Sequence, residues 1–304
     1  MEYWISVLSL LGIHMLMALS VYVIMSTGQV TFGQQGFFAI GAYLSAFATA
    51  MWGLSLTTAF ILAGLVSSLF GVLVGFPALR IRGFYLAITT LAFAEIVRLF
   101  FLNLTYQRQI GDRLIGPDGA HGFRYIDYLV QHQITLYKFL GIIYLIVAIF
   151  AVFFILLGRS RLGPAFKAVE EDEMAASMLG LNITTIKLSS FIIGAFIAGV
   201  AGGLYAHYMQ YVGQDFFGVN IGVYFMAYVM IGGLGSFVGP MLGATMLVGL
   251  TEILRFLQEY RMIFYGALII ATVIFRPRGI IDEALIFKIK TFLKKKAFPL
   301  TAGG

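Results

Sequence analysis

Side chains able to do chemistry are few in this chain, and they are scattered. The four histidines, His14, His121, His132 and His207, fall in separate stretches without metal-ligand spacing. A lone histidine in an apolar run is more often a hydrogen-bonded core residue than a ligand. Cysteine is absent, which removes thiolate metal sites, disulfides and a cysteine nucleophile. No G-x-x-x-x-G-K-[ST] loop is present to cradle nucleotide phosphates, and neither G-x-S-x-G nor H-E-x-x-H occurs. The expectation is a chain with no catalytic residue and no metal or cofactor of its own. Two opposite-charge pairs, Glu95 with Arg98 and Glu252 with Arg255, have i, i+3 spacing, which places both members on one helix face where they neutralise each other. A proton relay is the competing reading, but a proton-coupled carrier wants an unpaired carboxylate near the midplane and none is visible. One concentration of charge remains, the acidic run Glu170-Glu171-Asp172-Glu173.

The elements that carry these residues follow from composition. Of 304 residues, 60% are hydrophobic and 11% charged, and mean hydropathy is +0.93. A soluble domain has about 25% charged residues, so too few polar side chains are available here to cover a surface facing water. That excludes a soluble enzyme, a disordered chain and a nucleic-acid binder, despite the net charge of +6. A membrane-spanning helix needs about 20 largely apolar residues. Such runs lie at 4–26, 36–52, 54–78, 83–102, 138–158, 187–208, 219–232, 234–256 and 262–275. The fold class expected is an all-α polytopic membrane protein of about eight to ten transmembrane helices. The first run has no basic segment before it and places Trp4 at an interface, so it reads as a retained span and less well as a cleaved signal peptide.

Cytoplasmic loops hold the excess of Lys and Arg. Alternating nine spans puts Arg80 and Arg82, then Arg159, Arg161, Lys167 and Lys187, then Arg276, Arg278, Lys288, Lys290, Lys294, Lys295 and Lys296 on one side. The other side receives Arg108, Arg113, Arg124, Lys138, Arg255 and Arg261. Thirteen against six places the C-terminus inside and the N-terminus outside. The domain reading is a transmembrane domain over 1–281, with a cytoplasmic loop at 159–187 within it, and a basic cytoplasmic tail over 282–304.

Two uncharged, glycine-rich segments join apolar runs: Gly28-Gln29-Val30-Thr31-Phe32-Gly33-Gln34-Gln35-Gly36, and Ile231 to Pro240. Unwound backbone at membrane depth is tolerated only where it is buried in protein or lines a cavity, and interrupted segments in two halves of a chain point to a translocation path. Close helix packing through small residues is the alternative, evenly weighted for 28–36 and ahead for 231–240. Path residues chosen on polarity are Gly28, Thr31, Gly33, Gln34, Tyr85, Thr89 and Thr90.

The inside loop is the most informative stretch. Pro164 suits the first turn of a helix and Gly180 its C-cap. Between them Phe166, Val169, Glu170, Glu173, Met174, Ser177 and Met178 recur at helical spacing. The spacing predicts one short amphipathic helix, marginal in water by itself and therefore lying against something. Four adjacent acids argue against an anionic lipid leaflet and for a groove in another protein.

At this point the residues resemble a known family. Glu173-Met174-Ala175-Ala176-Ser177-Met178-Leu179-Gly180 resembles the coupling-loop motif E-A-A-x-x-x-G of ABC importer permeases, with Met174 inserted as in their branched-chain amino acid branch. Gly28-Gln-Val-Thr-Phe-Gly-Gln, Gly83-Phe-Tyr-Leu-Ala-Ile-Thr-Thr, Gly116-Pro-Asp-Gly, Arg159-Ser-Arg-Leu-Gly and Phe275-Arg-Pro-Arg-Gly are similar to the LivM-type permease in the same order, from about residue 20 to 281. The resemblance implies a permease subunit of a binding-protein-dependent importer for leucine, isoleucine or valine. It implies as partners a homologous LivH-type permease, two cytoplasmic ATPase subunits that use ATP-Mg, and an extracytoplasmic amino-acid-binding protein. It assigns ATPase coupling to Pro164–Gly180: Phe166, Val169, Met174 and Met178 as groove contacts, Glu170 and Glu173 as partners of basic ATPase residues, and Pro164, Ala175, Ala176 and Gly180 as the helix frame. The turns Gly116–Gly119 and Gly213-Gln214-Asp215 would face the binding protein. A urea or short-amide permease is the alternative within the family, and an ion-coupled carrier the alternative outside it.

Overall fold

The computed structural model describes residues 2–78, 81, 83–110 and 113–253, together with 266, 267, 270, 272, 274–276, 279 and 280. Arg80, Arg82, Arg255, Arg261, most of the expected run 262–275 and the tail 282–304 lie outside them. The Cα trace clusters into two compact units, Met1–Met226 and Ala227–Gly304.

Helices α1 (Glu2–Met25), α2 (Gln34–Ala50), α3 (Leu56–Ala78) and α4 (Phe84–Asn103) reproduce the first four apolar runs to within two residues at each end. A small sheet then interrupts the helices. Strand β1 (Arg108–Ile110) pairs antiparallel with β2 (Arg113–Pro117), which pairs with β3 (Phe123–Arg124) across a short 3₁₀ turn at Gly119–His121. This sheet is a local exception to the all-α expectation and is confined to the loop at 103–137. A one-turn α5 (Tyr128–Gln131) leads into α6 (Leu136–Arg159). The short α7 (Leu162–Glu171) and α8 (Glu173–Met178) follow, then α9 (Ile183–Met209), the longest helix among the described residues. After a 3₁₀ turn at Gln214–Phe217 come α10 (Val219–Gly232) and α11 (Val238–Ile253).

Among the described residues five helices, α1, α3, α4, α6 and α9, are long and apolar enough to cross a membrane. Their outer faces fit lipid. Ile61, Leu65, Leu69 and Leu73 form an exposed stripe on α3, and Leu145, Ile149, Val152 and Leu156 another on α6. Such stripes would be a liability in water.

Helix α9 is the centre of the first unit, packed against α1, α2 and α3. Lipid removes the hydrophobic drive for helix association, so close van der Waals contact between small residues replaces it. The seam shows this directly. A Cβ on Gly41 would collide with the Gly199 backbone, and one on Gly202 with the Phe38 carbonyl. A Cβ on Gly199 would lie 2.5 Å from the Ala63 carbonyl of α3. In the second unit, Gly232 and Gly239 approach each other's carbonyls, so the glycine-rich stretch 231–240 is a tight turn with close packing. The expected run 234–256 accordingly starts its helix only at Val238, because Gly233–Phe237 make that turn.

Candidate functional site

Helix α1 ends where Ser26, Thr27 and Gly28 donate their N–H groups to Tyr22, Ile24 and Met25. Gly28 closes the end with φ +74°, a conformation that glycine adopts without strain. The chain then runs without regular structure to Gly33. This strap, residues 26–33, is polar yet buried: Thr27, Gln29 and Thr31, with Gln34 and Gln35 beyond them, are at most 2% exposed. Its side chains are held from α9 and α4. Gln29 Nε2 donates to Thr27 Oγ1 at 2.8 Å and to Ser190 Oγ at 3.3 Å. The Phe32 N–H donates to Thr90 Oγ1 at 3.1 Å, and the Gly33 N–H to Thr31 Oγ1 at 3.1 Å.

Thr31, Gly33 and Thr90 are thus brought together; a Cβ on Gly33 would sit 3.1 Å from Thr90 Cβ, whereas Gln34 turns to α1, its Oε1 accepting from Ser20 Oγ at 2.9 Å. Gly28 faces elsewhere, 3.4 Å in the same sense from Glu170 Cα in α7. Tyr85 is 73% exposed on the outer face of α4, and half-buried Thr89 donates to the Tyr85 carbonyl at 2.8 Å. Those two do not join the cluster, because at about 100° of rotation per residue Thr89 lies about 100°, and Tyr85 about 140°, around α4 from Thr90.

The loop at 159–187 departs from the single helix expected over Pro164–Gly180. It folds as two helices broken at Asp172, whose backbone is extended at φ −157° and ψ 109°. Asp172 Oδ1 accepts from the Met174 and Ala175 N–H groups at 2.8 and 3.1 Å, so this acid caps α8 and does not continue α7. Pro164 stands in the first turn of α7, as its missing N–H suits. Gly180, at φ +82°, ends α8: its N–H reaches the Ser177 carbonyl, and that of Leu181 the Ala176 carbonyl.

Burial divides the expected groove contacts. Phe166 and Val169 are 3% and 1% exposed, because α7 lies on α6 and α9. They are core residues of this chain and not docking residues. Met174 and Met178 remain open at 69% and 79%, joined by Leu179 at 79%, a residue missed by the sequence reading. Ala175 is exposed, and Ala176 is the buried residue of α8. Glu170 is half-buried beside the strap, which its backbone contacts at Gly28. Glu173 has a partner within the chain: its Oε1 accepts from Lys187 Nζ at 2.5 Å. A cavity of about 580 Å³ lies between strap and loop, bordered by Gly28, Gln29, Leu86, Asp172, Glu173 and Lys187.

On the opposite side the two expected turns meet. Phe123 and Val212 exchange backbone hydrogen bonds at 2.7 and 2.9 Å, and Gln214 Nε2 donates to the Ala120 carbonyl at 3.2 Å. Arg98 grips Glu95 with Nε and Nη2, and its Nη1 stands 4.0 Å from Asp215. The Glu252 partner expected, Arg255, lies outside the described residues. Buried His207 donates from Nδ1 to the Gly203 carbonyl at 2.8 Å, and its Nε2 lies 3.0 Å from Thr49 Oγ1. It is a satisfied core residue. Among the described residues no group of three His, Asp or Glu side chains is placed to hold a metal ion.

A buried polar strap between helices thus lies against the loop at 159–187, and comparison with known proteins gives the family. The family model described as branched-chain amino acid transport system / permease component matches residues 3–273. The chain belongs to this family. It is 35% identical over 289 residues to the high-affinity branched-chain amino acid transport system permease protein LivM of Salmonella typhimurium, covering 88% of this chain and 68% of that protein. It is 32% identical over 299 residues to LivM of Escherichia coli, covering 91% and 69%. LivH of Escherichia coli, the permease protein of the same description, is 32% identical over 133 residues, covering 43% and 42%. No solved structure matches. The chain is accordingly a multi-pass membrane permease component.

Proposed function

We propose that this permease forms one half of the membrane pathway of an ATP-driven importer for leucine, isoleucine or valine, and that it is worked from the cytoplasm through α8. The observation that carries this reading is the short, capped helix α8, which presents Met174, Met178 and Leu179 outward while bordering the strap. A six-residue helix with exposed apolar side chains needs a covering partner. Two ATPase subunits using ATP-Mg supply it, a homologous LivH-type permease completes the pathway, and an extracytoplasmic amino-acid-binding protein delivers substrate. The relatives' printed descriptions support this substrate class.

In this reading residues 1–281 are the permease domain in a bacterial-type plasma (inner) membrane, and 282–304 a basic tail on the cytoplasmic side. The loop 159–187 shares that side. The chain itself is non-catalytic: closure of the ATPases moves α8, and α8 moves the strap, where Thr31, Gly33, Gln34 and Thr90 line the route with few polar contacts. Gly28 acts at the junction with α7. The sheet and the turn at 213–215 meet the binding protein. Substrate choice resides mainly in that separate protein, which is why the strap carries uncharged side chains.

The test is uptake by the reconstituted complex. Labelled leucine should accumulate only with ATP and binding protein, with competition by isoleucine and valine and none by urea. Displacement by urea in place of valine would transfer the permease to the urea and short-amide branch, and uptake by this chain alone would support an ion-coupled carrier.

A further inference from the structure

Lys187 occupies an odd position for a lysine. It lies in the second turn of α9, near the helix N-terminus where a cation gains nothing from the helix dipole, and its side chain is only 12% exposed. An ammonium so largely shielded from solvent is stabilised by a countercharge, and Glu173, in the first turn of α8, provides it with Oε1 at 2.5 Å. The backbone of the same residue serves the strap. Its carbonyl accepts from Ser190 Oγ at 2.7 Å and from Gln29 Nε2 at 3.5 Å. Ser190 Oγ lies 3.1 Å from Thr27 Oγ1, and Gln29 Nε2 also holds Thr27. One lysine therefore touches α8 through its side chain and the strap through its carbonyl. Helix α8 itself is bounded by two backbone breaks, extended Asp172 and left-handed Gly180, so it can move as a body.

We propose that the Glu173–Lys187 ion pair is a latch between α8 and the strap, with Lys187 the positioning residue. Pulled from below, α8 either carries the N-terminal turn of α9 with it or releases the pair. Both outcomes change the hydrogen bonds that hold Thr27 and Gln29. Glu173 thereby acts within the permease rather than on the ATPase surface. The consequence for transport rests on the importer reading above, whereas the consequence for the strap does not.

The absence of cysteine allows a clean test. Val30, half-buried on the cavity wall and outside the hydrogen-bonded network, is replaced by cysteine in the full complex in inside-out vesicles. Its reaction rate with a membrane-impermeant maleimide is measured in the parent, in Glu173→Gln, in Lys187→Met and in the charge-exchanged pair Glu173→Lys with Lys187→Glu. Labelling should quicken at least about fivefold in each single variant and return to within about twofold of the parent in the exchanged pair, as expected for directly coupled charges. Leucine taken up per ATP hydrolysed should fall and recover in parallel. Unchanged labelling in the single variants, or no recovery on charge exchange, would overturn the latch. The expected labelling pattern in a complex that imports no leucine would support the latch and overturn the importer reading.

Discussion

Phe166 and Met178 looked alike in the sequence, two apolar side chains on one amphipathic segment, yet their exposures of 3% and 79% predict opposite phenotypes. Phe166→Ala removes a ring buried where α7 lies on α6 and α9. Truncation of a buried phenylalanine costs about 3–5 kcal/mol once the cavity is included. Helix α7 has only ten residues, and its attachment is mostly that packing. At 1.4 kcal/mol per decade, opening of α7 should become at least about a hundredfold more frequent. Met178→Asp alters a side chain with little to lose, so the same opening should change by no more than about twofold, the surface-substitution scale of 0.5 kcal/mol. Hydrogen exchange of the amides at 166–171, followed by mass spectrometry in nanodiscs, reads this directly. Copurification of the ATPase subunits reads the second half: Met178→Asp should lose them with α7 exchange unaltered, and Phe166→Ala should lose them because the segment detaches. Exchange in Phe166→Ala that rises less than about tenfold, or rises equally in both variants, would refute the division of this segment into an anchoring helix and a presenting helix.

Three further outcomes follow from the geometry. Gly202→Leu places a side chain where even a Cβ meets the Phe38 carbonyl, so the α2–α9 seam must part; thermal melting in detergent should fall by well over ten degrees or the protein should not accumulate. Asp172→Ala removes the cap of α8 and should cost that helix about 0.5–2 kcal/mol, seen as faster exchange at Met174 and Ala175 with slower leucine uptake; unaltered exchange would contradict the cap. Thr90→Val leaves the Phe32 N–H without its acceptor in a buried site, at about 1–3 kcal/mol; lower melting together with reduced uptake is expected, whereas Thr89→Val, on the half-buried face, should leave both near the parent values.

Hydropathy located the helices well, because the bilayer imposes a length on each span independently of its neighbours. It did not reveal the seam along α9. Gly194, Ala195, Ala198, Gly199, Gly202 and Gly203 carry the small-residue spacing that would have shown it. The loop at 159–187 was recognised as important but read as one helix, since an aspartate inside an acidic, helix-periodic run suits both a helix interior and a cap. Only the extended backbone at Asp172 distinguishes the two. Lys187 stands 14 residues from Glu173, and a partner at that separation leaves no periodic trace in the sequence.

What the sequence determined by itself is therefore what depends on local composition: a polytopic membrane protein, the placement of its spans, the polar strap and the acidic loop at 159–187. Tertiary structure decided which face each of these presents. An amphipathic helix states that it has an apolar side but not what covers it, and packing showed that α7 spends that side on its own chain while α8 leaves its side open. Likewise the pairing of Glu173 with Lys187 is a fact of distance, set by the turn that brings the start of α8 back over the start of α9.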